Sequence, residues 1–388
     1  MIAASLFPAH AFAETPEEMR ARFRKQSAEA ERRGLAEPFK GITSDGKVVD
    51  GLFPIKPTGV STAAARAAAE QFLSSLTTEQ RGKVMLPTDD PEWRKWMNQH
   101  FYQRQGISFR EMTASQRNAA FTLLGASLSA KGVRLTRDIM RLNETLGELT
   151  GDREFFGEGL YFITIMGKPS ASEPWGWQFD GHHGVINYFA LGDQVVMTPY
   201  FAGSEPVIAA SGKYQGTAIL QEEQTQGLKL IQTLDDAQRQ KAILNVSKTG
   251  NNALAEAFKD NLVLDYAGIR AADLPTRHQQ QMLDLAGLYV GNMDEGHAKI
   301  RMDEIKRHLD ATYFAWIGGT ESDSVFYYRI HSPVVLIEFD HQRPFALRGS
   351  QPTREHIHTV MRTPNGNDYG NDYGKDLLRQ HYLKSHSR

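Results

Sequence analysis

Five landmarks occur twice along the chain in the same order and at near-constant offset. Phe72-Leu-Ser-Ser-Leu-Thr-Thr-Glu-Gln80-Arg81 returns as Leu230-Ile-Gln-Thr-Leu234-Asp-Asp-Ala-Gln238-Arg239 around a shared x-x-Gln-Arg. Gly106-Ile107 through Met112-Thr113-Ala114 returns as Gly268-Ile269 through Leu274-Pro275-Thr276. The helical stretches 117–127 and 136–146 match 279–289 and 300–309, and Tyr161 to Gly167 matches Tyr313 to Gly318. Such a series reads as a tandem duplication of a unit of about 130 residues, each unit running helices first and a β-hairpin last. A lone hairpin is marginal in water, so two of them gain by pairing. The expected fold is therefore α+β, with both hairpins in one mainly antiparallel sheet covered by helices about a pseudo-twofold axis. Residues 62–203 and 226–342 are the repeat units, and 204–225 links them. Residues 14–61 form a leading helix and a connector rich in Gly and Pro, and 343–388 a C-terminal segment completing the site.

The two hairpins also hold the chemistry. The first is Trp175-Gly-Trp177-Gln-Phe-Asp180-Gly-His182-His183-Gly-Val-Ile-Asn187-Tyr188. Its echo is Phe326-Tyr-Tyr328-Arg329-Ile-His331-Ser-Pro-Val-Val-Leu-Ile-Glu338-Phe-Asp340-His341. In both, an aromatic strand crosses a His-bearing turn into an apolar strand. Trp175, Trp177, Tyr327 and Tyr328 are core aromatics by default, with a cleft lining as the alternative.

The chain of 388 residues contains no cysteine, so disulfides, thiolate ligands and a Cys nucleophile are excluded. Any metal must be held by His, Asp, Glu or backbone oxygen. A net charge of −2 gives no reason to expect nucleic acid or an anionic membrane as partner. The first residues, with Ala11-x-Ala13 ahead of Glu14, resemble the end of a signal peptide. Residues 1–13 are thus expected to be a signal-peptide remnant, and the protein periplasmic or secreted. No other stretch is apolar for long enough to span a bilayer. Walker, Gly-x-Gly-x-x-Gly, His-Glu-x-x-His and Gly-x-Ser-x-Gly motifs are all lacking.

His356-x-His358 leads the candidate ligands, because residues i and i+2 of a strand face one side and can close on one ion. Adjacent histidines on a strand point apart, so only one of His182 and His183 is expected to join them, and His331 is a further candidate. His331 and His341 read equally well as satisfied core or turn histidines. Glu338 ends an apolar run and reads as a ligand, a partner orienting a His, or a general base. Asp340 is expected in solvent. Arg329 and Arg362 are candidate clamps for an anion, or structural partners of Glu338 or Asp368. Asn367-Asp368-Tyr369-Gly370 is copied at once as Asn371-Asp372-Tyr373-Gly374, turn sequences without the acidic spacing of an EF-hand.

The chain resembles the family called domain of unknown function 3500 over roughly Ala64 to His381. Trp175-Gly-Trp177, Gly181-His182-His183, Tyr328-Arg329-Ile-His331-Ser-Pro333, Ile337-Glu338-Phe339 and His356-Ile-His358-Thr-Val-x-Arg362 carry the likeness. Asn367-Asp368-Tyr369-Gly370 and Asp376-Leu-Leu with His381-Tyr382 complete it, the doubled Asn-Asp-Tyr-Gly being a departure. The resemblance implies no mechanism.

The residues themselves favour a metal-dependent hydrolase. His356 and His358 with His182 or His183, and His331, would hold zinc, or copper second. Glu338 would be the base, and Arg329 and Arg362 would hold a small anionic substrate. A copper-dependent oxidoreductase and a non-catalytic periplasmic metal- or ligand-binding protein are the alternatives.

Overall fold

The computed structural model describes residues 15–370 and 377–385. The expected signal-peptide remnant and the second Asn-Asp-Tyr-Gly copy lie outside the described residues. Ten α-helices and thirteen strands are found among them. The first half runs α1 (Pro16–Gly34), α2 (Ala63–Ser75), α3 (Thr78–Val84), β1 (Met85–Leu86), β2 (Ile107–Ser108), α4 (Ala114–Ser127) and α5 (Ala130–Thr150). It continues through β3 (Tyr161–Met166), β4 (Trp175–Gly181), β5 (Gly184–Leu191), β6 (Gln194–Val196) and β7 (Tyr200–Ser204). The second half runs α6 (Gln221–Thr233), α7 (Asp236–Ala242), β8 (Ile243–Asn245), β9 (Ile269–Arg270), α8 (Thr276–Val290) and α9 (Glu295–Arg307). Strands β10 (Tyr313–Gly318), β11 (Phe326–His331), β12 (Leu336–His341) and β13 (Ile357–Arg362) follow, then α10 (Leu377–Ser385).

Local chemistry starts α3 and α7 alike. Thr77 and Gln80 form a capping box ahead of α3, and Asp235 and Gln238 form one ahead of α7. Each satisfies two amide groups that the helix itself leaves unpaired.

All thirteen strands join one mainly antiparallel open sheet, ordered β1-β3-β4-β5-β7-β13-β12-β11-β10-β8. Short β2 pairs with β3, β9 with β10, and β6 with β5. The order reads alike from both ends. Each outermost strand is the partner of a three-strand meander and lies parallel to its first strand. Both hairpins therefore belong to the same sheet, and β7 against β13 is the joint between them.

Side chains alternate across the strands, so each strand has two audiences. Trp175, Trp177, Phe179, Ile186, Tyr188, Tyr200, Tyr328, Phe339 and Met361 face one core, shared with α2, α4, α5, α6 and α8. Val185, Phe189, Phe201, Leu336 and Val360 face a second, smaller core with Phe39, Trp93, Trp96 and Tyr369. This second face is roofed mostly by irregular chain, including parts of 35–62, 87–105, 246–268 and 342–370, with Leu377 and Leu378 at the start of α10. It also carries Asp180, Arg329, His331, Glu338, Asp340, His358 and Arg362, all buried. No helix among the described residues is long and apolar enough to cross a membrane.

Glu92, in a 3-10 turn (Pro91–Arg94) of that roof, shows how costly such burial is. It is 4% exposed, its nearest cation is Lys95 at 4.0 Å, and burial pushes its carboxyl up to about 8. A folded-state pKa above the unfolded 4.5 contributes stability that is whole below about 4.5 and is lost as pH rises through about 8. Glu92→Gln should therefore gain on the wild type as pH rises from about 5 to 8.5. Thermal unfolding across that range checks this, and a pH-independent difference in Tm refutes it.

Candidate metal centre

The β4–β5 hairpin turns on two residues, His182 and His183, between the paired Gly181 and Gly184. His183 sits in the left-handed region at φ 62, a conformation that costs a non-glycine residue free energy. Its backbone is held on both sides: its N–H donates to the Asn98 carbonyl at 3.0 Å, and its carbonyl accepts from Gly203 at 2.8 Å. The turn is thereby tied to β7. Gly203 pairs in turn with His358 of β13, and its missing side chain matters. A Cβ there would lie 2.6 Å from the Ile357 carbonyl oxygen and 3.3 Å from the His358 ring.

This brings three imidazoles together from two distant parts of the chain. Nε2 of His183 lies 3.1 Å from Nε2 of His358 and 3.2 Å from Nε2 of His356, and the last two are 3.0 Å apart. All three residues are buried, and they are the one group of metal-ligating side chains of this kind among the described residues. His356 stands just before β13 and His358 within it, so the i, i+2 pattern holds although the strand is shorter than the sequence alternation suggests.

The tautomers follow from the outer nitrogens. Nδ1 of His356 lies 2.7 Å from the Arg343 carbonyl oxygen, and Nδ1 of His358 lies 2.6 Å from Oε1 of Glu256. A carbonyl and a carboxylate only accept, so both Nδ1 atoms carry the proton and both Nε2 atoms present lone pairs. Those lone pairs face each other at 3.0 Å and repel. A neutral His183 can donate to only one of them. Protonation is disfavoured: burial, reinforced by neighbouring imidazoles, holds His356 down at about 3 and His183 well below the ordinary imidazole range. A central cation resolves the conflict for all three. At these spacings the Nε2 atoms of His183, His356 and His358 could together hold one divalent ion at ordinary zinc–imidazole distances of about 2.0–2.1 Å.

Charge around the trio suits a dication. Glu256 lies on one ring, and Oε2 of Glu205 lies 3.8 Å from Nδ1 of His356. Glu205 is buried and accepts from three consecutive amides, Phe345, Ala346 and Leu347. Two carboxylates would offset the charge of a divalent ion held by three neutral imidazoles.

The other expected site residues take different places. His182 leaves the trio and stacks on His183 at 3.9 Å, its Nδ1 2.8 Å from Oδ1 of Asn143. His331 lies outside the group, packed against Tyr266 with ring centroids 4.7 Å apart, and burial lowers it to about 3. His341 faces the helices and bonds Gln224 at 2.7 Å. Asp340, expected in solvent, is fully buried and pairs with Lys248 at 2.8 Å, because the irregular roof covers this face too. Arg362 is fully buried between Asp368 at 2.7 Å and Asp260 at 2.6 Å. Arg329 donates to the Asp265 carbonyl at 3.3 Å. Asp368, of the first Asn-Asp-Tyr-Gly copy, also accepts from the Thr363 amide.

Glu338 and Asp340 have a shared task. Asp340 accepts from the amides of Asn252 and Ala253, and Glu338 from those of Leu254 and Ala255. The next residue is Glu256, whose carboxylate meets His358. The strand β12 thus grips the loop that orients a ring of β13. Glu256 and Glu205 carry no signal in the sequence, since each is an acidic residue in an irregular stretch far from its partner.

Burial pushes the Glu338 carboxyl up to about 7 against the pull of the Tyr327 hydroxyl, the two amides and Arg329. All these partners are donors. Glu338→Gln would turn an amide N–H toward one of them and should cost roughly 1–3 kcal/mol. Chemical denaturation measures this, and an unchanged midpoint would show that the grip on residues 252–255 contributes nothing.

No curated protein and no solved structure matches the chain. A family model described as Protein of unknown function (DUF3500) matches residues 58–371, a span that holds both hairpins and all three imidazoles. The chain belongs to that family.

Proposed function

We propose that the protein is a metal-dependent hydrolase in which His183, His356 and His358 hold one zinc-like ion through Nε2. The observation that carries this is the triangle of Nε2 atoms at 3.0–3.2 Å with two Nδ1 protons already committed. Such an ion with three protein ligands keeps a position for water and lowers its pKa to about 7. Glu256 fixes the tautomer of His358, and the Arg343 carbonyl does the same for His356. His182, stacked on His183 and bonded to Asn143, holds the third ring in place. The donor set is all nitrogen, which also suits copper, so a copper-dependent oxidoreductase is the second reading. A non-catalytic metal-binding protein is the third. The small-residue pattern at 11–13 supports a periplasmic or secreted location for any of them.

The proposal includes a duplicated origin. Hairpin registers set Asp180 against Phe162 and Val185, and His331 against Tyr313 and Leu336. Followed one strand further, the same correspondence relates Tyr200 to Met361. These two residues pair with each other across β7 and β13, as a residue and its own counterpart must at a twofold axis. The mirrored strand order supports the same reading. Under it His183 corresponds to Val334 and His358 to Met197, so only one of the two related positions kept imidazoles.

Elemental analysis decides the metal. The purified protein should carry about one equivalent of zinc or copper, and His358→Ala less than about a tenth. Chelation should lower Tm, and adding the ion back should restore it. Less than a tenth of an equivalent in the wild type, with no uptake of added zinc or copper, sinks the reading. Hydrolytic activity lost on chelation and regained with zinc separates the enzyme from a metal-binding protein.

Glu256→Gln should weaken affinity for the ion about 10–100-fold while leaving the fold intact. Competition with a coloured chelator measures it, and an unchanged affinity would remove Glu256 from the site.

A further inference from the structure

Arg362 is consumed by Asp260 and Asp368, and Arg329 is buried beside Glu338 and donates to the Asp265 carbonyl, so a clamp for an anionic substrate is sought elsewhere. A cleft of about 600 Å³ opens between α4, α5 and the chain around Gly157, with Arg110, Arg117, Arg137 and Arg141 around Phe121 and Tyr214. A second hollow of about 520 Å³ shares Arg137 and Arg141 and adds Arg134. Residues 134, 137 and 141 follow helical spacing, so the α5 arginines form one stripe.

The two carboxylates of the cleft lining, and Asp138 beside it, already have cationic partners. Glu144 pairs with Arg153 at 3.3 Å, and Glu158 with Lys213 at 2.8 Å. Asp138 takes Arg141 at 2.9 Å. The guanidinium of Arg137 instead lies 3.8 Å over the Phe121 ring, which leaves the edge of its fork for an incoming acceptor. The cleft lining sets four arginines against Glu144 and Glu158, a local excess of positive charge in a chain of net charge −2, although Arg110 also meets Glu154 at 3.5 Å and Arg117 donates to the Phe109 and Met112 carbonyls. Arginine forks match carboxylate and phosphate oxygens in pairs, where a lysine offers only a point charge. A volume of this size takes a small molecule.

We infer that this cleft binds a small organic anion bearing carboxylate or phosphate groups. A chain of contacts runs from the wall of the cleft to the imidazole trio. Asn143 donates from Nδ2 to the Gly157 carbonyl at 3.0 Å, and its Oδ1 lies 2.8 Å from Nδ1 of His182, which stacks on His183. That the bound anion is the substrate rests on the metal-dependent reading above, whereas binding itself does not.

Calorimetry tests it with citrate, inorganic phosphate and glucose, on protein as purified and after chelation. Citrate or phosphate should bind the wild type with Kd below about 1 mM at low salt, more weakly as salt rises, and glucose should not bind. Arg137→Ala/Arg141→Ala should weaken the anion at least tenfold. The milder Arg137→Gln should weaken it by a smaller factor and guards against a folding defect, with circular dichroism and metal content as controls. No anion binding below about 1 mM, or equal binding by wild type and variants, overturns the inference. Anion binding without any metal uptake sinks the metal reading alone, and metal uptake without anion binding sinks this inference alone.

Discussion

The pairing of β7 with β13 is the contact on which the rest of the molecule depends. It joins two strand systems that are otherwise separate, each a meander flanked by a short parallel strand. It also decides the chemistry. Register sets Gly203 opposite His358, and Gly203 reaches back to the carbonyl of His183, so one backbone alignment places all three rings. A slip of one residue would turn His358 toward the helices and destroy the trio, because side chains alternate with a period of two.

The second constraint is a sheet whose polar face is buried. Antiparallel sheets often leave such a face to water. Here irregular chain covers it, and every carboxylate, imidazole and guanidinium beneath needs a partner. The partners are mostly backbone amides and carbonyls of the cover itself. Glu205 holds residues 345–347, Glu338 and Asp340 hold 252–255, and Arg362 holds the Ala255 carbonyl. The buried charges are thus the fasteners of the roof. The roof supplies Glu256 and the Arg343 carbonyl, so the imidazoles are oriented by the cover itself.

Rings continue outward from the trio. His182 stacks on His183, His100 lies 5.6 Å from His182, and Phe345, exposed at 70%, lies 5.2 Å from His100. Burial and nearby arginines hold His100 neutral, down at about 4, so this flank of the site is aromatic rather than cationic. The arginines gather instead on the far side of Asn143.

Much of the architecture was legible in the residues alone. Capping residues, helical spacing and the two hairpins are local, and repetition of their order pointed to one sheet. His356-x-His358 was legible too, since parity along a strand needs no tertiary knowledge. The choice of His183 over His182 was not, because it depends on a left-handed turn held by Asn98 and Gly203. Nor was the place of Asp340, which looks solvent-facing until the roof buries it, whereas the pairing of Arg362 with Asp368 was one of the two readings the residues offered. Glu256 is the extreme case, 102 residues from the ring it orients. Periodicity is a property of neighbours in sequence, and so the sequence determined elements and faces. Which loop covers which face depends on contacts between distant segments, and only the tertiary structure decided that.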